Sequence, residues 1–197
     1  ADLKPEKVMA FDTGPGNALL DEAAGRLGLY QDTDGKIAAS SPPDLNRVET
    51  WLQHPYFARN PPKSTGRETW NLEQLDPDGK LPPAQLLASL TLFTAQSIAQ
   101  AYRNFVLPLG LDEIWVAGGG AYNTTLMAYL KALLPVPVYT FAEKDLNAKH
   151  REALCFAVLG YLRYLELPNV LKQVTGASQS AIAGKITRPS TRHAGLA

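Results

Sequence analysis

The segment that decides the fold is EIWVAGGGAYN, residues 113–123. Its first five residues are mostly apolar and predict a short buried strand, and Gly118, Gly119 and Gly120 follow directly. The next stretch, TTLMAYLKALL over residues 124–134, repeats its apolar residues at helical spacing. A strand, a glycine turn and a helix in this order are typical of open α/β sheets, which bind ligands where their strands end.

The triple glycine allows two interpretations. Backbone amides at the start of the following helix favour an anion or a nucleotide, and glycines let such a ligand approach the chain closely. Alternatively, the glycines only allow the strand and the helix to pack closely. The turn is neither a Walker loop nor G-x-G-x-x-G, so no standard motif decides between the two.

Outward from this segment, short apolar runs alternate with helical patterns. Strands are predicted over Lys7–Asp12, 113–117 and 136–140, and helices over about 18–27, 44–54, 83–106, 124–134 and 147–165. This alternation predicts an α/β domain with at least partly parallel strands. Three strands are few for such a sheet, and we expect further strands upstream of this sequence.

Residues 55–83 are irregular and rich in proline and glycine. A free linker would not need the large side chains of Tyr56, Phe57, Trp70 and Leu72. We therefore expect a packed surface loop, inserted into a domain that spans residues 1–197.

Composition excludes several classes of function. Among 197 residues, 19 Lys and Arg balance 19 Asp and Glu, which argues against a surface built for nucleic acid or an anionic membrane. No apolar stretch approaches membrane-spanning length, and no signal peptide is evident. The lone Cys155 favours a reducing compartment, and its apolar neighbours predict core packing instead of a nucleophilic role.

Three polar segments are candidate sites. AFDTGPGN, residues 10–17, brings Asp12 to the end of a predicted strand, although Asp12 could simply cap a tight turn. PPKSTGRE, residues 61–68, places Lys63 and Arg67 where they could hold a phosphate or sugar oxygens, or form only a solvated loop. Glu152 could bond sugar hydroxyls or only complement a helix dipole. The three histidines show no metal-ligand spacing.

Together these segments resemble the C-terminal half of the anhydro-N-acetylmuramic acid kinase family, which includes levoglucosan kinase. The similarity rests on FDTGPGN-x-L-x-D, PPKSTGRE, TLFTA-x-SI, GGGAYN, EA-x-x-FA and TGAS, in this order and over essentially the whole chain.

The resemblance implies the C-terminal, RNase H-like nucleotide-binding lobe of a two-lobe fold of the actin, hexokinase and Hsp70 type, lacking its first strands. It implies a cytoplasmic carbohydrate kinase that uses ATP and Mg²⁺. The resemblance further implies that water opens the 1,6-anhydro sugar ring while the 6-oxygen is phosphorylated, in cell-wall sugar recycling.

The resemblance also implies roles for single residues. On the nucleotide side it places Gly118, Gly119, Gly120, Asn123, Gly14 and Gly16. On the substrate side it places Asp12, Asn17, Glu152, Lys63 and Arg67.

Some family features are absent from this sequence: the GTS-x-DG loop, the catalytic aspartate and the NIGG-type hairpin. Tyr122 stands where the family usually has histidine. We therefore expect the catalytic base in an N-terminal half and no turnover by this chain alone. That half, or a second copy in a homodimer, is the expected protein partner. The alternatives are a non-catalytic nucleotide- or sugar-binding module, a levoglucosan kinase fragment and a remnant that does not fold stably.

Overall fold

The computed structural model describes residues 8–144 and 150–187. The chain forms two compact units: residues 11–148, called the larger unit, and residues 1–10 with 149–197, called the smaller unit. In the described ranges, no helix combines the length and the apolar character needed to cross a membrane.

The larger unit combines helices with a small parallel sheet. Strand β1 (Ile114–Val116) pairs in parallel with β2 (Val138–Thr140), with Ile114 opposite Val138. Its α-helices are α1 (Ala18–Gly25), α2 (Lys36–Ala39), α3 (Leu45–Leu52), α4 (Leu72–Leu75), α5 (Pro83–Ala101) and α6 (Thr124–Leu133). A π-helical segment, Tyr102–Val106, continues α5, and 3₁₀ turns lie at Thr33–Gly35, Pro55–Ala58, Leu107–Leu109, Gly119–Tyr122 and Ala142–Lys144.

Helix α5 is the centre of the larger unit, because α1, α2, α3 and α6 all pack against it. Every residue over 86–95 is buried, so the helix has no solvent-facing side there. The buried hydroxyl groups of this helix donate hydrogen bonds to backbone carbonyls. The hydroxyls of Ser89 and Thr91 donate to carbonyls one helical turn earlier, at 2.7 and 2.8 Å. Since its two ends lie in different apolar clusters, α5 joins the aromatic cluster around Phe93 to the sheet.

The irregular stretch 55–83 packs on α5 through its aromatic side chains. Tyr56, Phe57 and Trp70 are buried, and the rings of Phe57 and Trp70 stack with centroids 5.4 Å apart. The ring of Phe93 meets the Phe57 ring edge-on at 5.8 Å. These contacts fix the stretch by burial and not by regular secondary structure.

The smaller unit contains α7 (His150–Tyr164), α8 (Lys172–Thr175) and an extended tail. Asn169 joins α7 to the tail: its side-chain N–H groups donate to the carbonyls of Leu159 and Ala183 at 3.1 and 3.2 Å, and its side-chain oxygen accepts from the Ala183 amide at 2.7 Å. The α8 region is closed by a single antiparallel bridge between Val170 and Ala181.

The mixed α/β class predicted from the sequence is confirmed, as are the strand before the triple glycine and the helix after it. Both strands are shorter than predicted. Proline explains part of the difference: Pro137 has no N–H to donate, and it contributes only its carbonyl, which accepts from the Ile114 amide at 2.9 Å.

The strand predicted over Lys7–Asp12 is wrong for its described residues, 8–12, which form no strand. Val8 and Met9 are exposed. In this described stretch the backbone pairs once, where the Asp12 amide donates to the Lys63 carbonyl at 3.0 Å. An apolar run becomes a strand only where a neighbouring strand offers a ladder of partners, and residues 61–65 offer a single one.

The prediction that Cys155 packs in a core is also wrong, because Cys155 is exposed. Its neighbours Leu154 and Phe156 are 66% and 72% exposed. Residues 152–161 are exposed on every side of α7, so the apolar pattern that predicted burial finds no covering surface there. Asn147, the predicted start of this helix, lies outside the described residues.

Candidate functional site

The first two candidate segments meet in the structure. One carboxylate oxygen of Asp12, Oδ2, accepts a hydrogen bond from the Ser64 hydroxyl and another from the Thr65 amide, both at 3.0 Å. The Asp12 amide donates to the Lys63 carbonyl, and the Tyr56 hydroxyl donates to the Asp12 carbonyl at 2.7 Å. Asp12 is exposed, so two hydrogen bonds hold a carboxylate that faces solvent, and two more hold its backbone.

Lys63 has a structural role that the sequence did not indicate. Its side chain is buried, and its ammonium donates to the carbonyls of Tyr56 and Phe57 at 3.3 and 3.4 Å. The same group lies 4.8 Å from the centre of the Tyr56 ring and 5.1 Å from that of Phe105. Burial, with the charge of Arg59, lowers the pKa of this ammonium. Direct ligand binding by Lys63 remains an untested prediction.

The glycine turn that ends β1 lies against the first candidate turn. The Asn17 side chain covers Gly119 and Gly120 so closely that a Cβ at Gly120 would come within 3.3 Å of Asn17 Oδ1. Gly14 packs in the same way against α5, where an added Cβ would lie 2.8 Å from the Ser97 hydroxyl. A Cβ at Gly14 or Gly120 would therefore force its neighbour to shift, whereas a Cβ at Gly119 would make only an ordinary contact.

The opposite side of the glycine turn is open. Gly118 has φ +85° and ψ −171°, and a Cβ added there would meet no described atom within 4 Å. Gly119 is exposed, and Gly118 and Gly120 are half-buried. Gly16 also has a positive φ, +58°, with open space beside it. One face of the turn thus packs on the protein while the other remains accessible to a flat ligand.

The start of α6 is held in place next to this turn. Asn123 caps the helix by accepting from the Leu126 amide at 2.9 Å. The hydroxyls of Thr124 and Thr125 donate to the carbonyls of Asp34 and Gly35 at 2.7 and 2.8 Å. Position 35 has to be glycine, because a Cβ there would clash with the Asn123 side chain.

A small cavity of about 50 Å³ lies between the two turns. That is room for water and not for a nucleotide, so a larger ligand would have to lie over the open face. Asn17, Gly119 and Asn123 contribute to its wall, and the full lining is Asn17, Leu20, Asp21, Gln31, Asp32, Asp34, Gly119, Tyr122 and Asn123.

Asp21 is the ionisable wall residue with a perturbed environment. Burial raises the pKa of its carboxyl, and the positive charge of Arg67 opposes the shift. Arg67 is exposed, so its guanidinium, unlike the Lys63 ammonium, is free to face a ligand from the same loop. In loop 61–68 the Arg67 side chain is therefore exposed, whereas the Lys63 side chain is buried.

Ser64, Tyr56 and Asp21 were missed as functional candidates. Ser64 lies within the candidate loop, but only the fold shows that its hydroxyl meets a carboxylate 52 positions away. Tyr56 gave no signal beyond its aromatic character. Asp21 stands in the FDTGPGN-x-L-x-D pattern, which was the one sequence signal available for it.

Glu152 lies in the first turn of α7, in the smaller unit, and is exposed. Its role on the sugar side remains a prediction. Among the residues that the structure describes, no three His, Cys, Asp or Glu side chains form a group able to hold a metal ion.

Comparisons with known proteins bear on the whole chain. Residues 2–189 match the family model described as anhydro-N-acetylmuramic acid kinase. A protein of that name from Cyanothece sp. is 44% identical over 190 residues, which cover 91% of this chain and 50% of the relative. Its counterpart from Trichormus variabilis is 42% identical, with 91% and 48% covered. A third, from Salinibacter ruber, is 38% identical, with 96% and 50% covered. The chain spans about half the length of the curated relatives it matches.

Proposed function

The chain belongs to the anhydro-N-acetylmuramic acid kinase family, and on that premise we propose that it is the nucleotide-binding part of such a kinase. The proposed reaction uses ATP to phosphorylate the 6-oxygen of 1,6-anhydro-N-acetylmuramic acid while water opens the anhydro bridge. Cell-wall sugar recycling in the cytoplasm is the proposed setting. The fold proposed for this part is the RNase H-like lobe of a two-lobe kinase.

One observation carries the proposal: three motifs separated by about 50 residues each come together in the larger unit. Asp12 bonds residues of loop 61–68, and Asn17 covers the glycine turn at 118–120. A chain needs no such convergence to pack its core, whereas a site for two substrates does.

On the nucleotide side, the open face of the glycine turn fits a purine nucleoside. Gly118 and Gly119 have no side chains to prevent a flat group from approaching the backbone. The capped N-terminus of α6 follows at Asn123, and its amides favour the negative charge of phosphates. When bound with ATP, Mg²⁺ would neutralise phosphate charge.

On the sugar side, Asp12 is the favoured contact. An ionised carboxylate only accepts hydrogen bonds, so it suits sugar hydroxyls and repels phosphate oxygens. Asn17 offers both donors and acceptors between the two sides. Arg67 is proposed to face the transferred phosphate, and Glu152 to contact the sugar.

The remaining half of the relatives' length is proposed to supply the catalytic base and the second wall of the cleft. Differential stabilisation of the transition state needs groups on both sides of the reacting atoms, so we expect no turnover by the 197-residue chain alone.

Calorimetry tests the proposal most directly. The chain is titrated with ATP–Mg²⁺, with 1,6-anhydro-N-acetylmuramic acid and with levoglucosan, both alone and co-expressed with the remaining half of the Cyanothece relative. We expect ATP–Mg²⁺ to bind the chain alone, and sugar phosphorylation only in the co-expressed preparation. Robust phosphorylation by the chain alone would contradict the division of roles, and absence of nucleotide binding in both preparations would contradict the proposed function.

A further inference from the structure

Helix α7 and the segments that follow it have no apolar core of their own. None of residues 152–187 is buried. Ten large apolar side chains in this stretch are exposed, and eight of them lie between Leu154 and Leu167. A helix of 15 residues is marginal in water unless packing stabilises it, so α7 needs another surface to cover its apolar side chains.

The larger unit, described by itself, satisfies its apolar side chains internally. One cluster surrounds Phe93, and a second joins α6 to the sheet through Leu126 and Val138. Seven large apolar side chains of this unit are exposed, although its described part is more than three times as long as the stretch 152–187. The uncovered apolar surface is therefore concentrated on α7 and the segments after it.

This uncovered stretch contains an ordered groove. The Arg163 side chain donates to the Gly184 carbonyl at 3.1 Å. Val170 pairs with Ala181 in an antiparallel bridge, so the tail is held beside α7. Between them lies a groove of about 430 Å³, which is within the size range of pockets that hold a small ligand. Its apolar lining is Phe156, Leu159 and Gly160 from α7 and Val170, Ala183 and Ile186 from the later segments.

The extent of the family match indicates what covers this surface. Residues 2–189 match the family model, so the groove and α7 lie inside the matched region. The chain nevertheless covers only 50% of the Cyanothece relative. Relatives of that length carry a further half of similar size, and a half of that size can bury a helix face and a groove together.

We propose that α7 and the groove beside it are a docking surface for the remaining half of the relatives' length, which covers Cys155 and inserts apolar side chains between Phe156 and Ile186. The inference rests on the proposed function, because it concerns how the two halves of that kinase are held together. Burial of apolar surface needs neither nucleotide nor sugar, so the two halves associate before any substrate binds.

Thiol labelling measures the coverage without altering the surface. Cys155 lies among the exposed apolar residues and is itself exposed. Ala132→Cys adds a matched control, because Ala132 is exposed on α6, a helix of the larger unit. Labelling by N-ethylmaleimide is followed by mass spectrometry in the chain alone and in the chain co-expressed with the remaining half of the Cyanothece relative, both without ligands. We expect co-expression to slow the labelling of Cys155 at least about tenfold and to change that of position 132 by less than about twofold.

Two charge variants test the energetics of the same surface. Phe156→Asp places a carboxylate on the wall of the groove, and Ala132→Asp places one on the control helix. Because Phe156 is 72% exposed, we expect the chain to remain folded, with an unchanged urea midpoint. Burying an unpaired charge under a partner is costly, so Phe156→Asp should reduce co-purification with the remaining half at least about tenfold, and Ala132→Asp should leave it unchanged.

The outcomes separate this inference from the proposed function. The docking surface is overturned if the two halves fail to co-purify, if Cys155 labels equally fast in both preparations, or if both aspartate variants behave alike. Nucleotide binding by the chain alone would then still support the function. Slow labelling of Cys155 in the chain alone also overturns it, and assigns the cover to a second copy if the rate depends on protein concentration and to the larger unit if it does not. Protection of Cys155 in preparations that bind no nucleotide supports the docking surface and contradicts the proposed function.

Discussion

The turn around Asp12 and helix α7 differ in how their side chains are satisfied. At Asp12, four directional hydrogen bonds join residues up to 53 positions apart, and the exposed carboxylate is still held in place. Along α7, Leu154, Phe156 and Tyr161 are 66%, 72% and 63% exposed. A polar group can be fixed by two or three partners at its own position, whereas an apolar helix face needs a whole surface to cover it.

The largest effect is expected in thiol labelling, which compares Cys155 on α7 with an Ala95→Cys variant in the buried part of α5. Ala95 is 0% exposed and Cys155 is exposed. A thiol at position 95 reacts only when the larger unit opens, so we expect it to label at least about 10³-fold more slowly than Cys155.

Mass spectrometry locates the label, and equal rates in denaturant serve as the control. Slow labelling of Cys155 in native conditions would show that α7 is covered in solution, and it would remove the contrast between the two regions.

The next largest effect concerns two phenylalanines. Phe93 is 0% exposed and its ring meets those of Trp51, Phe57 and Trp70. We expect Phe93→Ala to lower the free energy of unfolding by about 3–5 kcal/mol, and Phe156→Ala on α7 to change it by less than about 0.5 kcal/mol.

Urea unfolding followed by tryptophan fluorescence measures the first value, because all three tryptophans lie in the larger unit. Urea unfolding followed by circular dichroism measures the change in Phe156→Ala. A loss above about 1.5 kcal/mol in Phe156→Ala would mean that this side chain is buried in the folded protein.

Much of the larger unit could be predicted from the sequence, because its elements carry local signals. Asp44 caps α3 by accepting from the Arg47 amide at 3.1 Å, and an aspartate at the start of a helical pattern is a local signal for such a cap. The strand, glycine turn and helix over 113–134 are read from apolar periodicity and glycine alone. Such signals depend on neighbours within one turn, which the sequence shows directly.

The candidate site could be predicted only in part. The motifs identify which segments matter, but not that Lys63 points inward and Ser64 meets Asp12, because those contacts join positions that only the fold brings together. Cys155 failed for the opposite reason. An apolar neighbourhood along the helix predicts burial only if another surface covers it, and the described residues of its own unit that contact α7 leave residues 152–161 exposed.

A smaller effect is expected from a pair of glycines, Gly118 at the candidate site and Gly160 in α7. Gly118 has φ +85° and ψ −171°, a backbone region that costs a residue with a Cβ about 1–3 kcal/mol, so Gly118→Ala should destabilise the larger unit by that amount. Gly160 is helical with open space around it, so Gly160→Ala should stabilise α7 by about 0.5–1 kcal/mol. Thermal unfolding measures the stability change in both variants. If both substitutions stabilise the protein, or both destabilise it, the contrast between the two positions is contradicted.

The smallest effect is expected in the pH dependence of the site. Burial raises the pKa of Asp21 in the folded protein above its ordinary value of 3.8, so just above pH 3.8 the folded chain binds more protons than the unfolded chain. Stability therefore falls as pH rises through this window, and above it the loss stays constant.

Asp21→Asn cannot titrate, so its stability relative to the unchanged protein should rise through the same window and then level off. Urea midpoints taken at half-unit steps of pH measure the difference. Arg67→Ala is the companion variant: it removes the charge that opposes the shift, and it should widen the window. A difference that runs in the opposite direction would mean that Asp21 is stabilised in its charged form.

The bracing of the glycine turn has one more consequence. A run of three glycines is ordinarily the most mobile kind of backbone, and ordering it around a ligand carries a large entropic cost. Here Asn17 presses on one side of the run, and the hydroxyls of Thr124 and Thr125 fasten the helix that follows it. That entropic cost is met once, when the protein folds, so under the proposed function a nucleotide would meet a turn whose backbone is already ordered.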